Sequence, residues 1–322
     1  MIRTVLGDID DDRLGVTMVH EHLLMTGGWP VMREPDFRLN SVASAVREIE
    51  PYTALGGQAL VEMTPFGFGR SPAGLVEISR RAGVHVIACT GFHKLAYYAD
   101  NHWLRRYSPQ QIADLLIEEI EIGMDEHGME GPLRQTVPAR AGVIKLSTEY
   151  HRAGPVIEKL AEAIGAAHTR TGVPISTHTE KGTMGHTQLD LLEKAGVPTD
   201  AVILGHIDHN PDAVLLAELA ARGAYLAFDM PGRAKYGPDS QIVDLLEQLV
   251  AAGHAQRILL ASDLARRSYW TSLGGGPGLA YLLATFVPRL RSAGLADLPE
   301  AALVTNARRA LRLRTVQQEA RA

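Results

Sequence analysis

Eight short apolar runs recur along the chain, at positions 17–24, 58–64, 84–91, 141–148, 173–179, 201–206, 224–229 and 257–263. Each is bounded by Gly, Pro or polar residues, as buried strands are. Between and after them lie stretches with apolar residues at helical spacing: 41–55, 71–82, 108–123, 154–171, 187–195, 211–222 and 239–252, then two more near 278–293 and 298–313. Ser41 and the pair Ser108-Pro109 are helix-start signals, and Gly56-Gly57 is a stop. This alternation predicts an α/β protein built as a (β/α)8 TIM barrel. No composition break or flexible linker interrupts it, so residues 1–322 are expected to form one domain. The alternative is an open doubly wound sheet. It fits less well, because no early Gly-x-Gly-x-x-Gly turn opens a helix and the polar residues converge from too many strands to sit at one switch point.

Two stretches break the alternation. Residues 25–39 mix Gly, Trp, Pro and charge without a period, and residues 92–107 carry His93, Lys94, Tyr97, Tyr98, His102 and Trp103. The first reads as a loop over an active site, and the second as a long polar and aromatic stretch.

Composition narrows the class. With 32 basic and 37 acidic residues, nothing suggests a nucleic-acid or anionic-membrane partner. Cys89 is the one cysteine, so no intramolecular disulfide can form and a reducing compartment is expected. Acidic residues at 8 and 10–12 stand where a signal peptide needs an apolar core, and no window approaches a membrane span of unbroken apolar residues. A cytoplasmic enzyme is expected.

In a barrel of this kind the C-terminal strand ends share one mouth, where the chemistry sits. His20 and His22 alternate along the first strand and share a face, with Val19 and Glu21 on the other. Lys145, His178, His206 and Asp263 stand near the ends of later strands. Four neutral imidazoles and a carboxylate suit a borderline divalent cation, zinc first, with Mn, Co or Fe less favoured. These are too many ligands for one catalytic ion with an open position, so two ions sharing a bridge are expected. An ammonium at Lys145 would be repelled by both. A carbamate formed from the amine and carbon dioxide could bridge them, and a structural ion pair or a Schiff-base lysine are the alternatives.

Val19-His20-Glu21-His22, Gly142-Val143-Ile144-Lys145, Thr177-His178-Thr179, Leu204-Gly205-His206 and Leu260-Ala261-Ser262-Asp263 resemble, in order and spacing, the metal-binding signatures of the phosphotriesterase family of the amidohydrolase superfamily. The resemblance runs from about Val5 to Arg314. It implies that His20, His22 and Asp263 hold a buried metal, that His178 and His206 hold an exposed one, and that carboxylated Lys145 bridges both with a hydroxide. Asp263 would take the proton and pass it to the leaving group. Asp208, two residues after His206, resembles the family's relay carboxylate, and a loop-capping Asp is the equal alternative.

The family includes organophosphate triesterases, lipophilic lactonases and lactonases of phosphorylated sugar acids. Its lipophilic lactonases carry a tyrosine after Thr-Gly-x, whereas this chain has Thr90-Gly91-Phe92-His93-Lys94. That run looks more like the sugar-lactone branch. Cations recur at the expected mouth: Lys94, then Arg233 and Lys235 with Tyr236, then Arg266 and Arg267 with Tyr269. A phosphate needs such a set, and His93, Tyr97 and Tyr98 are further candidate substrate contacts. The expected activity is therefore opening of a sugar-acid lactone, phosphorylated or not. A promiscuous phosphotriesterase or carboxylesterase is the alternative, and a non-catalytic metal-binding barrel the remote one. His85, His127, His151, His168, His186, His209 and His254 are expected to pack or face solvent. Glu21 should meet a backbone or Arg partner outside the barrel. The Trp29–Met32 stretch would suit a homodimer contact or a lid.

Overall fold

The computed structural model describes residues 1–315; residues 316–322, the end of the expected domain, lie outside the described residues. Among the described residues, eight parallel strands form one sheet in chain order: β1 (Val16–Glu21), β2 (Gly57–Glu62), β3 (His85–Gly91), β4 (Ala141–Ser147), β5 (Ile175–His178), β6 (Val202–Gly205), β7 (Tyr225–Phe228) and β8 (Ile258–Leu260). The last strand meets the first through a bond from Asp263 N–H to His20 O at 3.0 Å. Glu21 reinforces that seam: its carboxylate accepts the N–H groups of Ser262 at 2.7 Å and Leu264 at 3.2 Å. Glu21 thus has backbone partners, as expected, but they belong to the barrel's own closing segment.

The strands read as near-continuous apolar runs because both faces are covered. One apolar cluster draws on seven of the strands, with Val19, Val61, Ile87, Val143, Ile203, Ala227 and Leu259 among them, and takes in Ile2, Leu14 and the last helix's Ala307, Ala310 and Leu311. The larger cluster packs helices such as Val42–Ala54, Pro109–Glu121 and Pro155–Thr171 on the sheet through residues such as Ile49, Leu116 and Leu160. Their starts follow the sequence signals: the Ser41 hydroxyl accepts from Ser44 N–H, and Ser108 with Gln111 forms a capping box.

The departures from the expected elements are local. The C-terminal helical stretches are broken: π-helical turns Leu282–Phe286 and Ala301–Thr305 interrupt α-helical ones. The two long loops contain short helices, Gly28–Arg33, Leu95–Tyr97 and Trp103–Arg106. A small antiparallel pair, Met124–Asp125 with Thr136–Val137, adds to the barrel.

Two loops bear on the mouth, and carboxylates tie them down. Asp36 accepts from Ser268 N–H at 3.0 Å and Ser268 O–H at 2.7 Å, and Glu34 pairs with Arg266. Glu48, buried on helix Val42–Ala54, accepts Ser272 N–H at 2.7 Å and Leu279 N–H at 3.1 Å. The loop after β8 is therefore held from two sides.

Candidate metal centre and substrate cavity

Six residues far apart in the chain, His20, His22, Lys145, His178, His206 and Asp263, line one cavity of about 240 Å³ at the strand ends. His206 and Asp263 stand just past their strands with φ of 60° and 46°, left-handed values that few non-glycine residues adopt. The turn they make aims both side chains at the centre. Asp263 Oδ1 is 3.4 Å from His22 Nε2 and 3.8 Å from His20 Nε2. The His206 ring lies 4.4 Å from that of His178 and 4.7 Å from that of His20. His20, His22 and Asp263 form one group able to grip a cation, and His20, His206 and Asp229 form a second. Lys145 Nζ donates to Met63 O at 2.8 Å.

The electrostatics favour the metal-binding forms. Burial pushes His20 down to about 4 and His178 well below the ordinary imidazole value, so both are neutral at pH 7 and keep a lone pair. Burial also lowers Lys145. For Asp263, burial would raise the carboxyl, but Arg233 and the surrounding histidines hold it well below its usual range. Among the described residues, His20 Nε2 and His178 Nδ1 are buried without a hydrogen-bond partner. Buried imidazole nitrogens without a partner, beside a carboxylate held ionised, are what a divalent cation would satisfy, so His20, His22, His206 and Asp263 fit the metal.

Several supporting residues escaped the sequence reading. Asp229 Oδ1 lies 2.9 Å from His206 Nδ1 and orients that imidazole, while Oδ2 lies 3.2 Å from His20 Nδ1. It ends the seventh apolar run, the same signal that singled out Asp263. Thr64 Oγ1 sits 2.9 Å from His22 Nδ1 and is itself bonded to Glu62. Glu180 lies 2.8 Å from His178 Nε2. No spacing rule marks Thr64 or Glu180.

The expected substrate contacts divide. His93, Lys94, Tyr97, Arg233, Tyr236, Arg266 and Tyr269 line the cavity. Tyr98 does not: its hydroxyl donates to Phe66 O at 2.9 Å and accepts from His93 N–H at 2.8 Å, so it pins the loop from beneath. Arg267 points away, toward Arg38 O at 3.4 Å. Lys235 stays out of the wall, but its ammonium lies 4.7 Å and 5.1 Å from the ring centres of Tyr236 and Tyr269, which are in it. Arg233 is spoken for, pairing with Asp263 Oδ2 at 3.0 Å and donating to Asp263 O at 3.0 Å. Lys94 pairs with Glu180 at 2.7 Å. Asp208 is off the cavity; its Oδ2 accepts Met230 N–H at 2.9 Å, and burial first, then Asp229, pushes its carboxyl well up. His209, expected to pack or face solvent, is in the cavity wall, 4.3 Å from the Tyr236 ring.

The model of the phosphotriesterase family matches residues 1–311. This chain belongs to the phosphotriesterase family. It is similar to a phospho-furanose lactonase of Mycoplasmopsis synoviae, 34% identical over 303 residues, spanning 91% of this chain and 86% of that protein. Among solved structures, an amidohydrolase from Mycoplasma synoviae superposes with a TM-score of 0.94 at 33% identity, covering 97% of this chain and 92% of that one. A phosphotriesterase homology protein from Escherichia coli, complexed with phosphate in its active site, superposes at 0.84 with 32% identity, covering 94% and 100%. The chain is thus a hydrolase of ester bonds in a binuclear, metal-dependent family, and it carries a His/Asp metal site. Among the described residues, no helix is long and apolar enough to cross a membrane.

Proposed function

We propose that this chain is a lactonase that opens the cyclic ester of a phosphorylated sugar acid. The observation that carries the reading is the cavity's polarity: an imidazole and carboxylate floor, and one wall built from Tyr236, Arg266 and Tyr269 with Lys235 against it. The Tyr269 hydroxyl is buried without a partner among the described residues. Arg266 lies over the Phe37 ring at 4.4 Å and engages Glu34 through Nη1, so its other N–H groups remain for an anion. A phosphate on that wall would place the lactone carbonyl over the floor. The names of the lactonase relative and of the phosphate-bound structure agree with this.

Two divalent cations, zinc by the ligand set, would supply an acidified water and polarise the ester carbonyl. His20, His22 and Asp263 would hold one, His178 and His206 the other, and Lys145 as a carbamate would join them. Burial of Lys145 favours the neutral amine, the form whose nitrogen attacks carbon dioxide and then sheds a proton. Arg233 holds Asp263 Oδ2 and leaves Oδ1 turned to His20 and His22. Asp263 can then accept a proton from the attacking water and deliver it to the ring oxygen as the acyl C–O bond breaks, giving the hydroxy acid. The buried lone thiol, Cys89, fits a cytoplasmic enzyme. Trp29 and Met32 at the mouth loop, 50% and 64% exposed, are where two copies would meet if it dimerises.

The test is a pH-indicator assay of the metal-loaded protein on phosphorylated sugar lactones, unphosphorylated ones, aliphatic lactones and neutral triesters. Phosphorylated lactones should have the highest kcat/KM. Faster turnover of triesters or simple carboxyl esters than of every lactone would overturn the reading.

A further inference from the structure

We propose that Glu180 and Lys94 are positioning residues that set the tautomer and angle of His178, and that Lys94 is not an anion receptor. The inference rests on the metal reading above. Glu180 Oε2 lies 2.8 Å from His178 Nε2 and 2.7 Å from Lys94 Nζ. A neutral imidazole carries a single N–H, and an ionised carboxylate can only accept. The proton therefore sits on Nε2, which leaves the lone pair on Nδ1, the buried nitrogen without a protein partner. With the other tautomer, two lone pairs would face each other at Glu180 and a proton would point into the cation site.

The local backbone is built around this contact. Just past β5, Lys181 takes a left-handed conformation with φ of 56°, and both Thr183 N–H and Thr183 O–H donate to Glu180 O. A non-glycine residue in that region is strained, so the turn is held by its surroundings. On the other side, the Lys94 ammonium is 5.2 Å from the Tyr97 ring centre, and the Lys94 backbone N–H donates to His93 Nδ1 at 2.7 Å. Lys94 is thus committed to a carboxylate and a ring.

The experiment titrates the full-length, metal-stripped protein with zinc in competition with a chromogenic chelator, for wild type, Glu180→Gln, Glu180→Ala and Lys94→Met, with inhibition by inorganic phosphate measured alongside. Two sites are expected in the wild type. Glu180→Ala should weaken one of them about 10–100-fold and leave the other unmoved, the size of effect that loss of such a support has. Glu180→Gln, which can still accept from Nε2, should recover part of it and guards against a failure of the alanine variant to fold. Lys94→Met should weaken that same site to a lesser degree while phosphate inhibition stays at the wild-type value. Arg266→Ala should do the reverse. Unchanged zinc affinity in folded Glu180→Ala and Glu180→Gln overturns the proposal, as does Lys94→Met losing phosphate inhibition with both metal sites intact. A wild type that takes up no zinc overturns the metal reading itself and this inference with it.

Discussion

An amine held at 1% exposure among four histidines and an aspartate has few stable states, and Lys145 has one protein partner, Met63 O. If it bridges two cations as a carbamate, Lys145→Ala removes a ligand from both at once. Metal analysis should show loss of at least one ion per chain, and lactonase kcat should fall by three or more orders of magnitude, on the order of 4 kcal/mol of transition-state stabilisation. Added short carboxylates with zinc should return part of the activity. Lys235 calls for a different outcome. Its ammonium backs the two tyrosines of the anion wall, so Lys235→Ala should raise KM for a phosphorylated lactone about tenfold, near 1.4 kcal/mol, and barely change turnover of an unphosphorylated one. Equal effects on both substrates would argue that Lys235 only packs.

Among the elements, the helix Val42–Ala54 does more than cover β1 and β2. Glu48 is 1% exposed and spends its carboxylate on Thr271, Ser272 and Leu279, in the loop that carries Arg266 and Tyr269. Hydrogen bonds to an ionised group are worth about 1.5–3 kcal/mol, so Glu48→Ala should lower the urea unfolding free energy by about that much. It should also raise KM for the phosphorylated lactone more than Ser108→Ala does. That variant removes a helix cap that is not part of the cavity wall, at about 1 kcal/mol of stability and no loss of activity. A Glu48 variant with altered stability and unchanged KM would show that the loop holds its shape through Asp36 and Glu34 alone. The position of this helix is legible from its apolar spacing and its Ser41 cap. Its grip on a loop more than 220 residues away is not, because a buried glutamate has the same letter as a solvated one.

Over the whole molecule, the acid limit can be read from buried imidazoles. His168, away from the mouth and bonded through Nδ1 to Val173 O at 2.8 Å, is pushed below its ordinary value of 6.5 by burial. The unfolded chain therefore takes up its proton first as pH falls. The contribution is fully present above 6.5 and is lost as pH drops below that, toward the folded value, by at most about 1.4 kcal/mol per pH unit. Urea midpoints should fall between pH 7.5 and pH 5, and by less in His168→Gln than in wild type; an equal fall would place the acid sensitivity elsewhere. What the sequence determined by itself was everything carried by period and order. Alternating apolar runs with helical stretches imply a barrel, and strand-end His, Lys and Asp residues imply a shared mouth, because a barrel brings the ends of all its strands together. What only the tertiary structure decided was pairing. Arg233 went to Asp263, Lys94 to Glu180 and Tyr98 to Phe66 and His93, so residues that read alike as loop cations and aromatics took unlike roles. Periodicity reports which face a side chain is on, whereas a partner across the barrel is chosen by distances of a few ångströms that no local pattern encodes.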